Sequence, residues 1–362
     1  MTATLAQGIG NVKRLIVFRA LVLGDLLCAV PALRAFKQQW PAAELTFVGL
    51  PWARELCARL DCVDRFEEFP GFPGLPERTV DIAAIPLFFE RMQRTRFDLA
   101  VQLHGSGNIV NQIVECMGAT HVAGFHEPGG YAPDPALFTQ WPEQGHEIER
   151  MLKVVDHLRI ERCGTHLDFP LGADDRDGIA AIWPGLGGAG SYVCVHAGAQ
   201  LPSRRWMPER FAQVANALAD QGHTIVLTGT AGEAGIAQDI AARLAKAPVD
   251  LAGKTSLWTL GALVESAALV VSNDTGIMHV AAALGTPSVS VSMGADVSRW
   301  APLNAEVHRV LWHDMPCRPC SFRSCPYDHG CATSVSADAV IEAATRALLS
   351  RRASSAQHFC DH

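Results

Sequence analysis

Four short polar segments carry residues whose types and spacing suit chemistry, and each follows an apolar run. Residues 270–287 read VVSNDTGIMHVAAALGTP. Asp274 and Thr275 are good helix-capping types, Gly276 lets a ligand approach the backbone, and His279 follows one turn later. A helix opening there presents free amides and the positive end of its dipole, a setting that binds phosphate. A capped helix with a hydrogen-bonded histidine explains the same residues without a ligand. Residues 197–206 read AGAQLPSRRW: Gly198 and Ala199 leave amides uncovered, and Arg204 and Arg205 follow. A guanidinium there could grip a diphosphate by forked, charge-assisted hydrogen bonds, or simply stand in solvent. Residues 19–25 place Arg19 and Asp25 inside an apolar stretch. Asp25 sits just before a helix expected from Leu26, where a carboxylate can cap the helix, act as a general base, or do both. The fourth segment, His104–Asn108 (HGSGN), offers His104, Ser106 and Asn108 either to an acceptor or to a ligand-free turn.

Cys317, Cys320, Cys325 and Cys331 form a Cys-x2-Cys-x4-Cys-x5-Cys run, with His313 and His329 nearby. Four thiolates can hold a structural zinc ion tetrahedrally. The spacing departs from the standard zinc-ribbon patterns, which favours packed or partly oxidised thiols in a stiff loop.

The elements that must position these segments follow from pattern and length. At 362 residues the chain fits two domains, on a prior of roughly 150 residues each. A content of 49% hydrophobic and 19% charged residues excludes a mostly disordered chain. The net charge of −7 argues against a protein that coats nucleic acid, while leaving room for a local basic site. Eleven cysteines is an odd number, and Met1–Asn11 is short, polar and uncharged rather than a secretory leader. Both features point to a reducing, cytoplasmic setting. Leu15–Leu33 is long enough to suggest a membrane span, but Arg19, Gly24, Asp25 and Pro31 interrupt it. Strand, loop and helix is the better reading, with no built-in anchor and peripheral membrane contact left open.

Further strands are expected at Leu15–Arg19, Glu44–Gly49, Phe97–Leu103, Thr120–Phe125, Tyr192–His196, Thr224–Thr228, Leu269–Ser272 and Ser288–Ser292. Helices are expected at Leu26–Trp40, Trp52–Leu60, Ser106–Met117, His146–Leu158, Arg176–Trp183, Pro208–Gln221, Glu233–Lys246, Leu257–Ala267 and Gly276–Leu284. Residues 71–86 and 124–145 read as loops, and the tail from Arg351 as frayed. A Gly- and Pro-rich stretch at 168–190 marks the domain boundary, giving residues 1–170, 171–350 and a disordered 351–362. Alternating strands and helices imply α/β domains with doubly wound parallel sheets, whose ligands sit beyond the carboxyl ends of the strands.

Taken together and in order, these segments resemble glycosyltransferase family 9, the bacterial lipopolysaccharide heptosyltransferases. The resemblance runs over most of Lys13–Leu349. It is carried by RALVLGDLLCAVPALRAF, FDLAVQLHGSGN, HAGAQLPSRRW, SNDTGIMHVAAALGTPSV, RWAPL and the four-cysteine segment. It implies a GT-B fold, with two Rossmann-like domains facing a central cleft, the acceptor on the N-terminal side and a nucleotide-sugar donor on the C-terminal side. It further implies inverting, metal-independent transfer of a sugar, by default heptose from ADP-heptose, onto a lipopolysaccharide core or related surface glycan. No cofactor is then required, and the reaction would run in the cytoplasm, with peripheral contact at the inner membrane. Asp25 matches the family's catalytic base. Thr275, Gly276 and His279, with Asp274 beside them, match its diphosphate-binding block. Arg204 stands where the family usually has lysine, keeping the charge and changing the contact geometry. Met293–Gly294–Ala295 replaces a common Gly–Pro turn. Arg19, His104, Ser106 and Asn108 lie where acceptor contacts are expected. Two rivals share the fold: a nucleotide-sugar epimerase, which needs no acceptor, and a non-catalytic nucleotide-sugar-binding relative.

Overall fold

The structure, a computed structural model, describes residues 8–360, with side chains to Arg351. Residues 1–7 of the expected polar start, and Asp361 and His362 of the expected tail, lie outside the described residues. The chain divides into two compact units, Met1–Pro170 and Leu171–His362.

In the first unit, β1 (Arg14–Phe18), β2 (Glu44–Gly49), β3 (Arg65–Glu68), β4 (Leu99–Gln102), β5 (His121–His126) and β6 (Phe138–Gln140) form one parallel sheet. Its order is β3-β2-β1-β4-β5-β6. Ile16 of β1 pairs with Thr46 on one side and Ala100 on the other. Helices α1 (Leu23–Gln39), α2 (Ala84–Thr95), α3 (Asn108–Glu115) and α4 (Glu147–His157) accompany the sheet. The order reverses direction between β1 and β4, so the loops after those two strands meet at the switch point. There Arg19 Nη1 donates to the carbonyl of Leu103, and the Ala20 amide donates to His104 Nδ1 at 3.1 Å.

The second unit opens with α5 (Ala173–Ile182). Its strands are β7 (Tyr192–His196), β8 (Thr224–Thr228), β9 (Val249–Asp250), β10 (Leu269–Asn273), β11 (Ser288–Ser292) and β12 (His308–Trp312). Its helices are α6 (Pro208–Asp220), α7 (Ala234–Ala241), α8 (Leu257–Ser266), α9 (Gly276–Leu284) and α10 (Ala337–Cys360). The order β12-β11-β10-β7-β8-β9 repeats the topology of the first sheet, with the switch point between β7 and β10. Every residue of β10 is buried: Leu269, Val270 and Val271 are apolar, and Ser272 and Asn273 are hydrogen-bonded. Helix α6 carries Pro208 in its first turn, where no amide partner is lost, and buries Phe211, Val214 and Leu218 on one stripe.

Several expectations shift. Helix α1 starts three residues early, with Val22 as its N-cap, so Asp25 lies in the first turn rather than capping it. Helix α2 begins inside the expected Gly- and Pro-rich loop. Pro86 is its third residue, where the amide has no intrahelical partner, and Asp81 Oδ1 accepts from the Ala84 amide at 3.1 Å. Strand β6 lies in the other expected loop and has only three residues. Helix α10 runs through Arg351 to Cys360, with neither Gly nor Pro along its length. No helix among the described residues is long and apolar enough to cross a membrane. Leu15–Leu33 is divided between β1, a turn and the first half of α1.

Candidate functional site

In the first unit the switch point gathers Arg19, Asp25, His104 and Glu147. Asp25 projects from the first turn of α1, where the helix dipole favours a carboxylate, and keeps 15% of its side chain exposed. Arg19 Nη2 reaches Asp25 Oδ1 at 3.1 Å and Glu147 Oε1 at 2.8 Å. Its Nε donates to the Asp25 carbonyl at 2.8 Å. The arginine side chain, an expected acceptor contact, has no exposed surface, and its donors face two carboxylates and the Leu103 carbonyl.

His104 is also enclosed. Its Nδ1 accepts the Ala20 amide, so the neutral ring carries its proton on Nε2, which donates to Glu77 Oε1 at 3.2 Å. Burial works against the Glu77 charge. The bonds from His104 and from its own backbone outweigh burial, and the carboxyl lies below the ordinary range. Ser106 Oγ donates to Glu127 Oε1 at 2.7 Å. Asn108, the first residue of α3, is the exposed member of the four expected acceptor contacts. The loop that presents it is held from below. Gly107 has φ +90, and a Cβ there would overlap the Phe125 carbonyl and the Asn111 amide. Asn111 Nδ2 donates to the carbonyls of Phe125 and Tyr131 at 2.9 and 2.7 Å, and its Oδ1 accepts from Gln102 at 3.3 Å.

In the second unit the loops after β7 and β10 are tied by Asn273. Its Nδ2 donates to the Ala197 carbonyl at 2.7 Å, and its Oδ1 accepts the Trp206 amide at 2.9 Å. Thr275 is the N-cap of α9, yet its hydroxyl makes no cap bond. Thr275 Oγ1 is buried and has no hydrogen-bond partner among the described residues. An orphan hydroxyl at a helix start, where the first amides lack intrahelical partners, is a group that could meet an anion. Asp274 turns away from those amides: Ser292 Oγ donates to its Oδ2 at 2.8 Å. Burial raises the Asp274 carboxyl above its ordinary range, opposed by the Ser292 bond and by the charges of Arg204 and Arg318.

Arg204 is half-buried and donates through Nη2 to the Cys320 carbonyl at 3.0 Å, while its Nε is buried without a partner among the described residues. Arg205 Nε donates to the Ala199 carbonyl at 2.9 Å, within its own loop, whereas Arg204 reaches across to the cysteine segment. Gly198 packs against Glu233, and a Cβ there would overlap its carboxylate. His279 is buried in α9, with its ring edge-on to Trp300 at 6.2 Å. His196 Nδ1 lies 3.1 Å from Thr228 Oγ1; burial holds its ring below the usual histidine range, with Glu233 pulling the other way.

The cysteine segment straps this half of the site. Arg318 donates to the carbonyls of Ser292, Met293, Ala295 and His313. The Cys320 amide donates to the Gly294 carbonyl at 2.7 Å, and Ser203 Oγ to the Phe322 carbonyl at 2.5 Å. Thus the unusual Met293–Gly294–Ala295 turn is held by Arg318, a residue the sequence pattern did not single out. All four cysteines line one narrow pocket with Met293, Met315 and His329. Burial raises the Cys331 thiol, and the neighbouring Cys325 and Cys317 add to that, with Arg318 opposing. Among the described residues, no three or more His, Cys, Asp or Glu side chains are grouped so as to hold a metal ion.

Comparison with known proteins gives this geometry a family. The family model described as glycosyltransferase family 9 (heptosyltransferase) matches residues 87–330. Lipopolysaccharide heptosyltransferase 3 of Escherichia coli K12 is 26% identical over 295 residues, covering 77% of this chain and 82% of that protein. A solved glycosyltransferase of family 9 from Veillonella parvula superposes with a TM-score of 0.78 at 20% identity, covering 93% of this chain and 97% of that one. The E. coli ADP-heptose lipopolysaccharide heptosyltransferase II gives 0.72 at 20% identity, covering 94% and 99%. These solved structures share its two-unit GT-B architecture. With the family model spanning more than half of its length, the chain belongs to glycosyltransferase family 9 and is an enzyme of glycosyl transfer.

Proposed function

We propose that the protein transfers a heptosyl residue from ADP-heptose to a hydroxyl of a lipopolysaccharide core acceptor, with inversion at the anomeric carbon. The observation that carries the donor half is Thr275: a buried hydroxyl without a partner among the described residues, at the start of α9, with an arginine from the neighbouring switch-point loop. The family match and the names of the relatives support heptose and the lipopolysaccharide core.

The reaction is a single displacement. The acceptor oxygen bonds to the anomeric carbon as Asp25 takes its proton. The bond from that carbon to the diphosphate breaks, and ADP leaves with the electron pair. Negative charge grows on the leaving phosphate. Arg204, His279 and the amides at Thr275 and Gly276 stabilise it by preorganised electrostatics, so the chain's own groups supply what a metal would otherwise supply. Asn108 and Ser106 border the acceptor side. A glycolipid acceptor places the reaction at the cytoplasmic face of the inner membrane, with peripheral contact there.

The test pairs a donor panel with an acceptor assay. Calorimetry with ADP-heptose, UDP-glucose and GDP-mannose should give measurable binding for ADP-heptose alone. Incubation with heptose-deficient lipopolysaccharide should add one heptose to the acceptor by mass spectrometry and release ADP. Asp25→Ala should reduce turnover by about 100-fold or more while donor affinity stays within about twofold. Conversion of the sugar nucleotide without any acceptor would instead identify an epimerase, and binding without any turnover a non-catalytic relative.

A further inference from the structure

Two carboxylates share one nitrogen of a buried arginine. Arg19 Nη2 lies 3.1 Å from Asp25 Oδ1 and 2.8 Å from Glu147 Oε1. Side-chain exposure is 0% for Arg19, 1% for Glu147 and 15% for Asp25, so Asp25 is the member that meets solvent. Beyond Glu147, Arg150 Nη1 stands 4.0 Å from Glu147 Oε2, and its guanidinium stacks over Trp141 at 5.3 Å. The result is a row of alternating sign, Asp25, Arg19, Glu147, Arg150, in which Asp25 is the partly exposed member.

This row does two things to Asp25. Arg19 holds both its backbone carbonyl and its side chain, which fixes the carboxylate in one direction. Arg19 itself is fixed by Glu147, the Leu103 carbonyl and Met151 Sδ, the last at 3.0 Å. A guanidinium paired with Asp25 alone would stabilise the ionised form and make it a poor proton acceptor. Glu147, on the same nitrogen, offsets that charge.

We infer that Glu147 is a positioning residue for glycosyl transfer: acting through Arg19, it holds Asp25 in place and preserves its basicity. The inference rests on Asp25 being the base. Asp25 is faced by Arg19 from the end of β1, and by Glu147 and Arg150 from α4. The packed elements also carry His146 at the start of α4, and His104 with Glu77 behind the Ala20 amide. Of these, Glu147 shares Asp25's own guanidinium partner.

The decisive measurement is the titration of Asp25 in full-length protein labelled with 13C at aspartate carboxyl carbons, its resonance assigned by its loss in Asp25→Asn. In Glu147→Gln, whose amide oxygen still accepts from Arg19, the midpoint should fall by about one pH unit or more, since the two carboxylates lie within about 6 Å of each other. The acid limb of the kcat profile with ADP-heptose should move down in step, with KM changed less than about twofold. Glu147→Asp, which keeps the charge, should restore most of the midpoint. An unchanged Asp25 midpoint in Glu147→Gln, with only a lower unfolding temperature, overturns the inference and makes Glu147 merely structural. Full turnover in Asp25→Asn overturns the base reading instead, and the titration then still reports whether the coupling exists.

Discussion

Thr275→Val exchanges a hydroxyl for a methyl group of similar volume, and at this position the exchange separates function from stability. The hydroxyl makes no cap bond and has no partner among the described residues, so its loss removes no intramolecular hydrogen bond. Removing a buried unpaired polar atom is neutral or mildly stabilising. Binding of ADP should nevertheless weaken by about tenfold, because a phosphate oxygen loses its donor. Arg204→Ala should weaken ADP further, by about tenfold to 100-fold, since a charge-assisted contact is lost. Calorimetry with ADP and thermal unfolding of both variants check this; a Thr275→Val protein that binds ADP as the wild type does would remove Thr275 from the donor site. At this scale the sequence singled out Asp25, Asp274, Thr275, Gly276 and His279 as candidates because each follows a strand at or near a helix start, and the family resemblance added Arg204. It could not point to Glu147 or Glu77. Glu147 reads as an ordinary acidic residue in the first turn of a helix, and its burial becomes visible only when α4 packs against α1.

Asn273 shows how elements hold the site together. It ends β10, is fully buried, and links the loop after β7 to the loop after β10 through Ala197 and Trp206. Asn273→Ala should cost about 3 kcal/mol in urea unfolding, since the Trp206 amide and the Ala197 carbonyl would both lose a buried partner. Donor affinity should fall with it, because Arg204 lies between those two anchors in the chain. A loss under about 0.5 kcal/mol would mean that the two loops are held elsewhere. Elements with strong patterns were legible: β2, β7, β8, β11 and α9 have the bounds expected from their apolar runs. Edge strands were not. β3 and β12 are mostly part-buried with no clean alternation, and β9 has two residues, too short for any period to register. Helix α2 was hidden by Pro86, a residue that ends helices from inside and is harmless in their first turn.

For the whole molecule, charge and pH carry consequences that no single loop explains. The chain bears −7, and a diphosphate donor is itself anionic, so the proposed donor site needs short-range attraction, from Arg204 and the α9 terminus in the reading above, against the overall field. Acid stability is set partly by His308, which is buried with its Nδ1 2.9 Å from Ser288 Oγ. Burial lowers its value to about 4 from the usual 6.5. The unfolded chain therefore binds this proton before the folded chain does. Stability is full above the unfolded value, declines as the pH falls through that window, and levels off below the folded value. The decline from this residue should reach about 3 kcal/mol at most. Urea unfolding across this range should show His308→Gln losing that part of the slope; an identical slope in the variant would show that other groups set it. Two six-stranded sheets of the same strand order underlie all of this. Their class was readable from the alternation of strand and helix, whereas the strand order was not, because register and neighbour choice depend on contacts distant in sequence.

The shared guanidinium of Arg19 also constrains how the sequence can drift. Replacing it in one step takes the cation away from a buried carboxylate and a partly buried one, a loss of several kcal/mol from a fold that has about 5–15 to spare. Replacing Glu147 alone strands the cation's inner side. Viable lineages should therefore change positions 19 and 147 together or not at all, and descendants that have given up Asp25 should be the ones in which that linkage dissolves.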